Sequence, residues 1–380
     1  MMLLGLDYIL TPEQNWVFLE ANDHSNGLKI ANSFSDSGQC SLGISNPLSN
    51  LWSHIKNCAN GDLVVALLPD RFVGNGFITK SSIQNSKHLL TQENINIDTI
   101  EELEWYIENL KLQGVNAVLQ TASSLHTDID GLITSTEEVV GFILRRAMRM
   151  PRNSYFTPSL NDIRSRIICL DKLYLYAKIK QCKINKQVLI PETAVSSEKS
   201  VLNNYLASLQ ARSINYIILK KRYGSQSEDI TRIQENSTDF YENMMSISGC
   251  TPDLLFQDFI DSDKIVMSGG HFSFDVRVFT FNGELIGGYI RKAAAPTKQP
   301  FIDSPLSWLT TFGTLHPISN KLEIASGIKL DGEIIKSLKK SAVAVSELAD
   351  YCLKEISVDD TIKWLSDILP PRPLGNHFFI

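Results

Sequence analysis

The stretch 274–295 begins FDVRVFTFNGELIGGYIRK, and it constrains the fold more than any other part of this 380-residue chain. Residue types alternate on both sides of Asn282-Gly283, which is the period of a strand and not of a helix. Asn-Gly suits the tight type I′ turn, in which both central residues take positive φ. A hairpin with arms this long needs a sheet around it, one parity facing a core and the other facing polar surroundings. The chain opens on a second hairpin, LDYILTPEQNWVFLEAN (6–22), whose turn is Thr11-Pro12-Glu13-Gln14-Asn15. Glu20 and Asn22 end its second arm two residues apart, so they point to the same side of the strand.

Between the hairpins the pattern changes. GDLVVALLP (61–69) reads as a buried strand, TIEELEWYIENLKLQ (99–113) as an amphipathic helix and VNAVLQ (115–120) as a second strand. That βαβ order predicts a parallel sheet. Further helices are expected over 46–58 after an Asn-Pro start, over 134–149, over 160–181, over SEKSVLNNYLASLQ and over 331–356. Strands are expected at VLIPET (188–193), NYIILKK (215–221) and LLFQDFI (254–260). Residues 31–43, rich in Ser, Asn and Gly, read as a loop, and the proline-rich end reads as an extended tail.

Composition narrows the function classes. A net charge of −6 gives no support to a nucleic-acid partner, and no apolar run is long enough for a membrane span. The start MMLLGLDYIL has no basic leader and reaches Asp7 early, which argues against a signal peptide. Cysteines 40, 58, 169, 182, 250 and 352 form no CxxC and keep no regular interval. The expectation is a mixed α/β, multidomain, cytoplasmic protein with reduced thiols and neither a disulfide framework nor a zinc site.

Several polar residues sit where a strand would be expected to hide apolar ones. In YIILKKRYGSQSEDI (216–230) a strand delivers Lys220, and Gly224 and Ser225 follow in a loop that lets backbone N–H groups approach an anion. A Walker A loop is absent. Gln257, Asp258, Phe259 and Ile260 end an otherwise apolar strand whose main-chain groups could bond a purine edge while apolar neighbours cover the ring. Asp275 and Arg277 share one face of the long hairpin, and Arg291 and Lys292 end its second arm. Such cations are either solvated edge charges or partners for a phosphate or oxyanion.

The order of these signals resembles the ATP-grasp superfamily, in particular its carboxylate–amine ligases such as D-alanine–D-alanine ligase, glutathione synthetase and the glutamate-adding ligases of ribosomal proteins. Leu170-Asp171-Lys172 followed by the IPET strand resembles the family's DK helix and its P-x-T strand. The resemblance implies Lys172, with Lys178 as a rival, and Lys220 on the ATP phosphates, with Gly224 and Ser225 covering them. It implies Arg277 and Arg291 as catalytic cations, and a ribose-binding acid at Asp261 or Asp263. The family's metal hairpin reads G-x-D-x-hydrophobic, turn, hydrophobic-E-x-N and follows the long helix. No such hairpin follows 331–356 here, whereas Gly5, Asp7, Glu20 and Asn22 at the start of the chain stand in that order. The resemblance therefore implies a circularly permuted ATP-grasp fold, an arrangement similar to that of eukaryotic glutathione synthetases.

On this reading residues 1–58 are the end of the ATP-grasp domain moved to the front, and 61–158 a pre-ATP-grasp βαβ substrate domain. Residues 159–260 form the nucleotide-binding subdomain, 261–356 the remaining catalytic subdomain and 357–380 a tail. Implied ligands are ATP with Mg²⁺ (or Mn²⁺) held by Asp7, Glu20 and Asn22, plus a small carboxylate and an amine, with an amino acid or peptide as the expected type. Family members are often homodimers. His24 and His271 are candidate general bases. The alternatives within and outside the fold are a kinase, a carboxylase-type enzyme and a nucleotide-binding module without turnover.

Overall fold

The computed structural model describes residues 2–23, 27–38, 42, 48–68, 97–121, 124–145, 152–184, 186–195, 197, 199–212, 216–223, 231–234, 254–267, 270–292, 323–328, 330 and 332–368. In chain order these contain β1 (Leu3–Leu10), β2 (Trp16–Asn22), α1 (Leu28–Asp36), α2 (Ser49–Ala59), β3 (Leu63–Leu68), α3 (Ile97–Leu112), β4 (Ala117–Thr121), β5 (Leu125–Thr127), β6 (Ile133–Ser135) and β7 (Glu138–Arg145). They continue with α4 (Ser165–Leu170), α5 (Lys172–Gln181), β8 (Thr193–Val195), α6 (Lys199–Ala211), β9 (Tyr216–Lys221), β10 (Thr231–Gln234), β11 (Leu254–Asp258) and β12 (Lys264–Met267). The last elements are β13 (Gly270–Phe281), β14 (Glu284–Lys292), β15 (Glu323–Gly327), α7 (Gly332–Glu355) and α8 (Val358–Ile368).

Three sheets result, and the fold is α/β. The largest runs β15-β14-β13-β1-β2, with β12 paired to β13, so the two long hairpins lie side by side in one sheet of a single chain. β1 pairs antiparallel with β13 from Leu3↔Phe281 to Tyr8↔Val276. Asn282 and Gly283 take φ of 51° and 77°, as a type I′ turn requires. Even-numbered residues of β1 (Leu4, Leu6, Tyr8, Leu10) join Val276, Val278 and Ile290 under α7, whose Leu338, Ala342, Val345 and Ala349 are completely buried. A buried ring or branched side chain there contributes roughly 1.5–3 kcal/mol over an exposed one. The opposite face begins apolar, with Leu3, Phe279, Phe281 and Tyr289 packed under α1 and α2, and turns charged toward Asp7.

A second sheet, β10-β9-β11-β8, carries Lys220 on β9 and Gln257 on β11. The third, β4-β3-β7-β6-β5, has β3 parallel to both β4 and β7.

Local expectations fail in five places. The described part of the helix expected over 134–149, residues 134–145, is not a helix: Thr136 and Glu137 at positive φ turn β6 into β7, and the branched run Val139-Val140 and Ile143 then serves as a strand beside β3, while 146–149 lie outside the described residues. The Ser/Asn-rich stretch from 31 includes most of α1, because Leu28 and Ala31 pack on the large sheet and tertiary burial outweighs weak helix propensity. The span 160–181 splits at Asp171, which leaves α-helical φ/ψ and caps α5 by accepting Leu173 N. The strand expected at 188–193 starts only at Thr193, after Pro191. Beyond 357, where a tail is expected, α8 packs Leu365, Trp364 and Ile362 onto the β3 sheet with Leu63, Val65 and Ile143. Residues 369–380 lie outside the described residues.

Candidate functional site

A single β-bulge builds the site. Tyr8 pairs with Phe18, but Asp7 pairs with Glu20, so Leu19 is an extra residue on β2. Without it the alternation that puts Trp16 and Phe18 in the core would put Glu20 there too. With it, Glu20 and Asn22 turn to the face of Asp7. The Asn22 amide lies 3.4 Å from both the Asp7 and Glu20 carboxylates. Tyr176 of α5 donates to the carbonyl oxygen of the bulged Leu19, pinning the irregularity from outside the sheet.

Register extends the same face across β13 and β14: Asp7↔Arg277, Arg277↔Tyr289 and Asp275↔Arg291 are direct cross-strand pairs. Arg277 grips Asp7 with both ends of its fork, Nε–Oδ1 at 2.7 Å and Nη2–Oδ2 at 2.6 Å. Arg291 does the same to Asp275 at 2.7 and 2.5 Å and also reaches Asp7 at 3.2 Å. Burial alone would raise the Asp7 carboxyl, but the charges and hydrogen bonds of Arg277 and Arg291 outweigh it and hold the group below its ordinary range. Both arginines stay cationic, because the aspartate charges and hydrogen bonds overcome burial.

Glu20 faces the second sheet as well. It is an electrostatic neighbour of Lys172, at the start of α5, and of Lys220 on β9. Lys220 is 7% exposed, and burial pushes its ammonium down to about 8, with Lys172 adding to the fall and Glu20 opposing it. Burial lowers Lys172 too, against the attraction of Glu20 and Asp171. The two lysines are tied together through Asp171: Arg222, two residues past Lys220, grips that carboxylate at 2.8 and 2.6 Å.

Other expected residues take different places. Gln257 donates to Tyr176 Oη at 3.3 Å and to Thr193 Oγ1 at 3.0 Å. Asp258 points to the far side of β11, where Arg212 and Tyr205 bind it, the latter at 2.8 Å. Its N–H donates to Glu192 O at 2.9 Å, so Phe259 and Ile260 lie just past the end of the ladder at Asp258↔Ile217. Lys178, the rival of Lys172, pairs instead with Glu355 at 3.2 Å. Asp261 pairs with Lys264, and Asp263 accepts from Gln14 of the opening turn. His271 is exposed on β13, while His24, Gly224 and Ser225 lie outside the described residues.

Sequence reasoning missed four contributors. Glu102 of α3 is 5% exposed and accepts N–H groups of Gly27 and Leu28 at the start of α1. Asp23, next to Asn22, is held by Ser165 at 2.8 Å and Arg166 at 3.3 Å. Tyr176 and Tyr289 complete the set. None of them belongs to a local pattern, and only the Asp171 cap of α5 carries a sequence signal, the isolated Asp before a helical run. Among the described residues no group of three or more His, Cys, Asp or Glu could hold a metal, since the cluster here is two carboxylates and an amide. No helix among them is long and apolar enough to cross a membrane.

No family model matches the chain, and no curated protein matches it. Among solved structures it is similar to a protein assigned as gamma-glutamylcysteine synthetase from Methylobacillus flagellatus KT, with 9% identity, TM-score 0.48 and coverage of 93% of this chain and 89% of that one. It is also similar to a RimK domain ATP-grasp protein from Sphaerobacter thermophilus DSM 20745, with 16% identity, TM-score 0.34 and coverage of 77% and 99%. A third is D-alanine–D-alanine ligase from Bacillus anthracis, with 12% identity, TM-score 0.39 and coverage of 76% and 78%. ATP-grasp proteins and carbon–nitrogen ligases are thus among the structures this chain resembles. At such low identity the functional reading rests on the residues of the site.

Proposed function

We propose that this chain is an ATP-dependent carboxylate–amine ligase of the ATP-grasp type. The observation that carries the reading is the bulge at Leu19, which sets Asp7, Glu20 and Asn22 on one face beside Arg277 and Arg291 and within electrostatic reach of Lys172 and Lys220. Two carboxylates and an amide next to four cationic side chains suit a polyphosphate with a hard divalent ion.

Asp7, Glu20 and Asn22 would hold Mg²⁺: two carboxylates and an amide, whose nitrogen donates to both carboxylates at 3.4 Å and whose oxygen is the group that would ligate the ion. Asp7 Oδ2 faces Arg277, Arg291 and Asn22, while Oδ1 accepts from Arg277 alone and keeps a lone pair for a cation. When bound, the ion neutralises phosphate charge and aligns the γ-phosphoryl group. Lys220, on the second sheet, and Lys172, at the start of α5, bind the phosphates, while Phe259 and Ile260 offer main-chain groups to the purine edge. The substrate carboxylate attacks the γ-phosphorus, ADP leaves, and an acyl phosphate forms. An amine then adds to the carbonyl carbon and phosphate departs, leaving an amide. Arg277 and Arg291, held in fixed forks, neutralise the carboxylate and the tetrahedral oxyanion without reorganising. The β3 sheet region, residues 61–158, would select the substrates. Residues 1–58 read as the end of such a domain carried to the front of the chain, a view supported by the continuous β13–β1–β2 ladder.

The test is ADP release with Mg²⁺ across a panel of amino-acid carboxylates and amines. A pair that together drives ADP and phosphate release is expected. Replacing both Glu20 and Asn22 by Ala should abolish that turnover while circular dichroism stays unchanged. Undiminished turnover in the double variant would refute the assignment.

A further inference from the structure

Helix α8 lies outside the sheets that carry the site, yet it touches Tyr223, beside the Arg222–Asp171 pair that links the two lysines. Its Trp364 meets the Tyr223 ring edge-on, with centroids 5.7 Å apart and planes at 78°. Tyr223 in turn carries the Arg222 guanidinium on its face, 5.0 Å from the centroid. Arg222 holds both Asp171 carboxylate oxygens, its carbonyl accepts Lys172 N at 3.3 Å, and Asp171 bridges Tyr223 in β fashion. Lys172 follows Asp171 directly, and Lys220 precedes Arg222 by two residues on β9. Trp364 also packs, with Leu365 and Ile362 of the same helix, against the core of the β3 sheet, which includes Leu170 at the end of α4.

Every link in this chain is rigid for a physical reason. The fork on Asp171 allows one orientation of Arg222. The cation above Tyr223 fixes which ring face is available, and the edge-on contact fixes where Trp364 sits. Nothing in the amide-forming chemistry needs an indole, and Leu365 and Ile362 anchor α8 in that core beside Trp364. From this we infer that Trp364 is a positioning residue for the nucleotide site: through Tyr223 and Arg222 it sets Lys172 and Lys220 for the ATP phosphates and ties their placement to the β3 sheet. This inference rests on the ATP-binding part of the proposed function and adds a residue from a helix that lies outside the bulged hairpin and the lysine-bearing elements.

The experiment is equilibrium binding of Mg-ATP to the full chain by calorimetry, followed by intrinsic fluorescence. Trp364→Ala is expected to weaken ATP binding on the order of fivefold, the scale of a lost aromatic pair, by raising the ordering required on binding. Trp364→Phe, which keeps a ring edge, should restore most of the affinity. ATP should also change the emission of the wild type, and that change should vanish in Trp364→Phe while the other tryptophans remain. A merely structural Trp364 would move melting temperature without either the affinity or the nucleotide-induced emission change. Equal ATP affinity in wild type and Trp364→Ala overturns the positioning role and leaves the ligase reading intact. No ATP binding by the wild type overturns both. Should Trp364→Ala not fold, Tyr223→Leu supplies the same comparison, with the same fivefold loss expected and an unchanged affinity refuting the idea.

Discussion

Lys220 offers a direct test of the site because its titration can be followed without knowing the substrates. Its ammonium falls from 10.5 to about 8, chiefly through burial. That shift corresponds to about 3 kcal/mol disfavouring the charged form in the ligand-free protein. Phosphates bind the charged form, so ATP binding must restore the proton. At pH 7 about 9% of Lys220 is neutral and at pH 9 about 91%, which predicts an affinity about tenfold weaker at pH 9 if the bound lysine stays charged. Phosphate groups, with a second pKa of about 6, titrate below this window. Stability of the free protein runs the other way. Between about 8 and 10.5 the unfolded chain holds more protons than the folded one, so the Lys220 contribution to stability rises with pH there. The assay is calorimetry of Mg-ATP binding at pH 7, 8 and 9 in buffers of different ionisation enthalpy. Proton uptake should grow from about 0.1 to about 0.9 per ATP across that range. Lys220→Arg, cationic throughout, should bind with a flat profile. A flat wild-type profile, or the same slope in Lys220→Met, would show that Lys220 does not meet the phosphates.

Two further variants probe the scaffold. Arg277→Met leaves Asp7 buried with one guanidinium fewer, and a loss of about 3–5 kcal/mol in denaturant unfolding is expected. Adding Asp7→Asn to that variant should recover part of the loss, since the coupling sits between the two groups. Gly27→Ala is expected to destabilise by at least about 1–3 kcal/mol in the same assay, because Gly27 sits at φ +110° and an added Cβ would lie 2.2 Å from Tyr289 Oη.

Much of the architecture was legible in the chain because it rests on local periodicity. The alternation around Asn282-Gly283, the run LVVALL and the amphipathic spacing of 331–356 each encode one element whose apolar side must be buried somewhere. Those elements stand where expected. Where local and tertiary forces compete, the reading failed: Glu138–Arg145 became a hairpin strand and the serine-rich stretch after Leu28 became a helix, since neighbours decided both.

The order Gly5, Asp7, Glu20, Asn22 and the order Lys172, Lys220, Arg277, Arg291 are properties of the sequence, and they suffice to suggest phosphate chemistry. Whether those residues meet is another matter. A strand's alternation assigns Glu20 to the side opposite Asp7, and only the extra residue at Leu19 reverses that parity. The bulge exists because Trp16 and Phe18 are driven into the core under α7 while Tyr176 bonds the Leu19 carbonyl from another element. Sequence alone determined which side chains are available. The tertiary structure decided which of them share a face, because parity along a strand can be broken only by contacts that come from elsewhere in the fold.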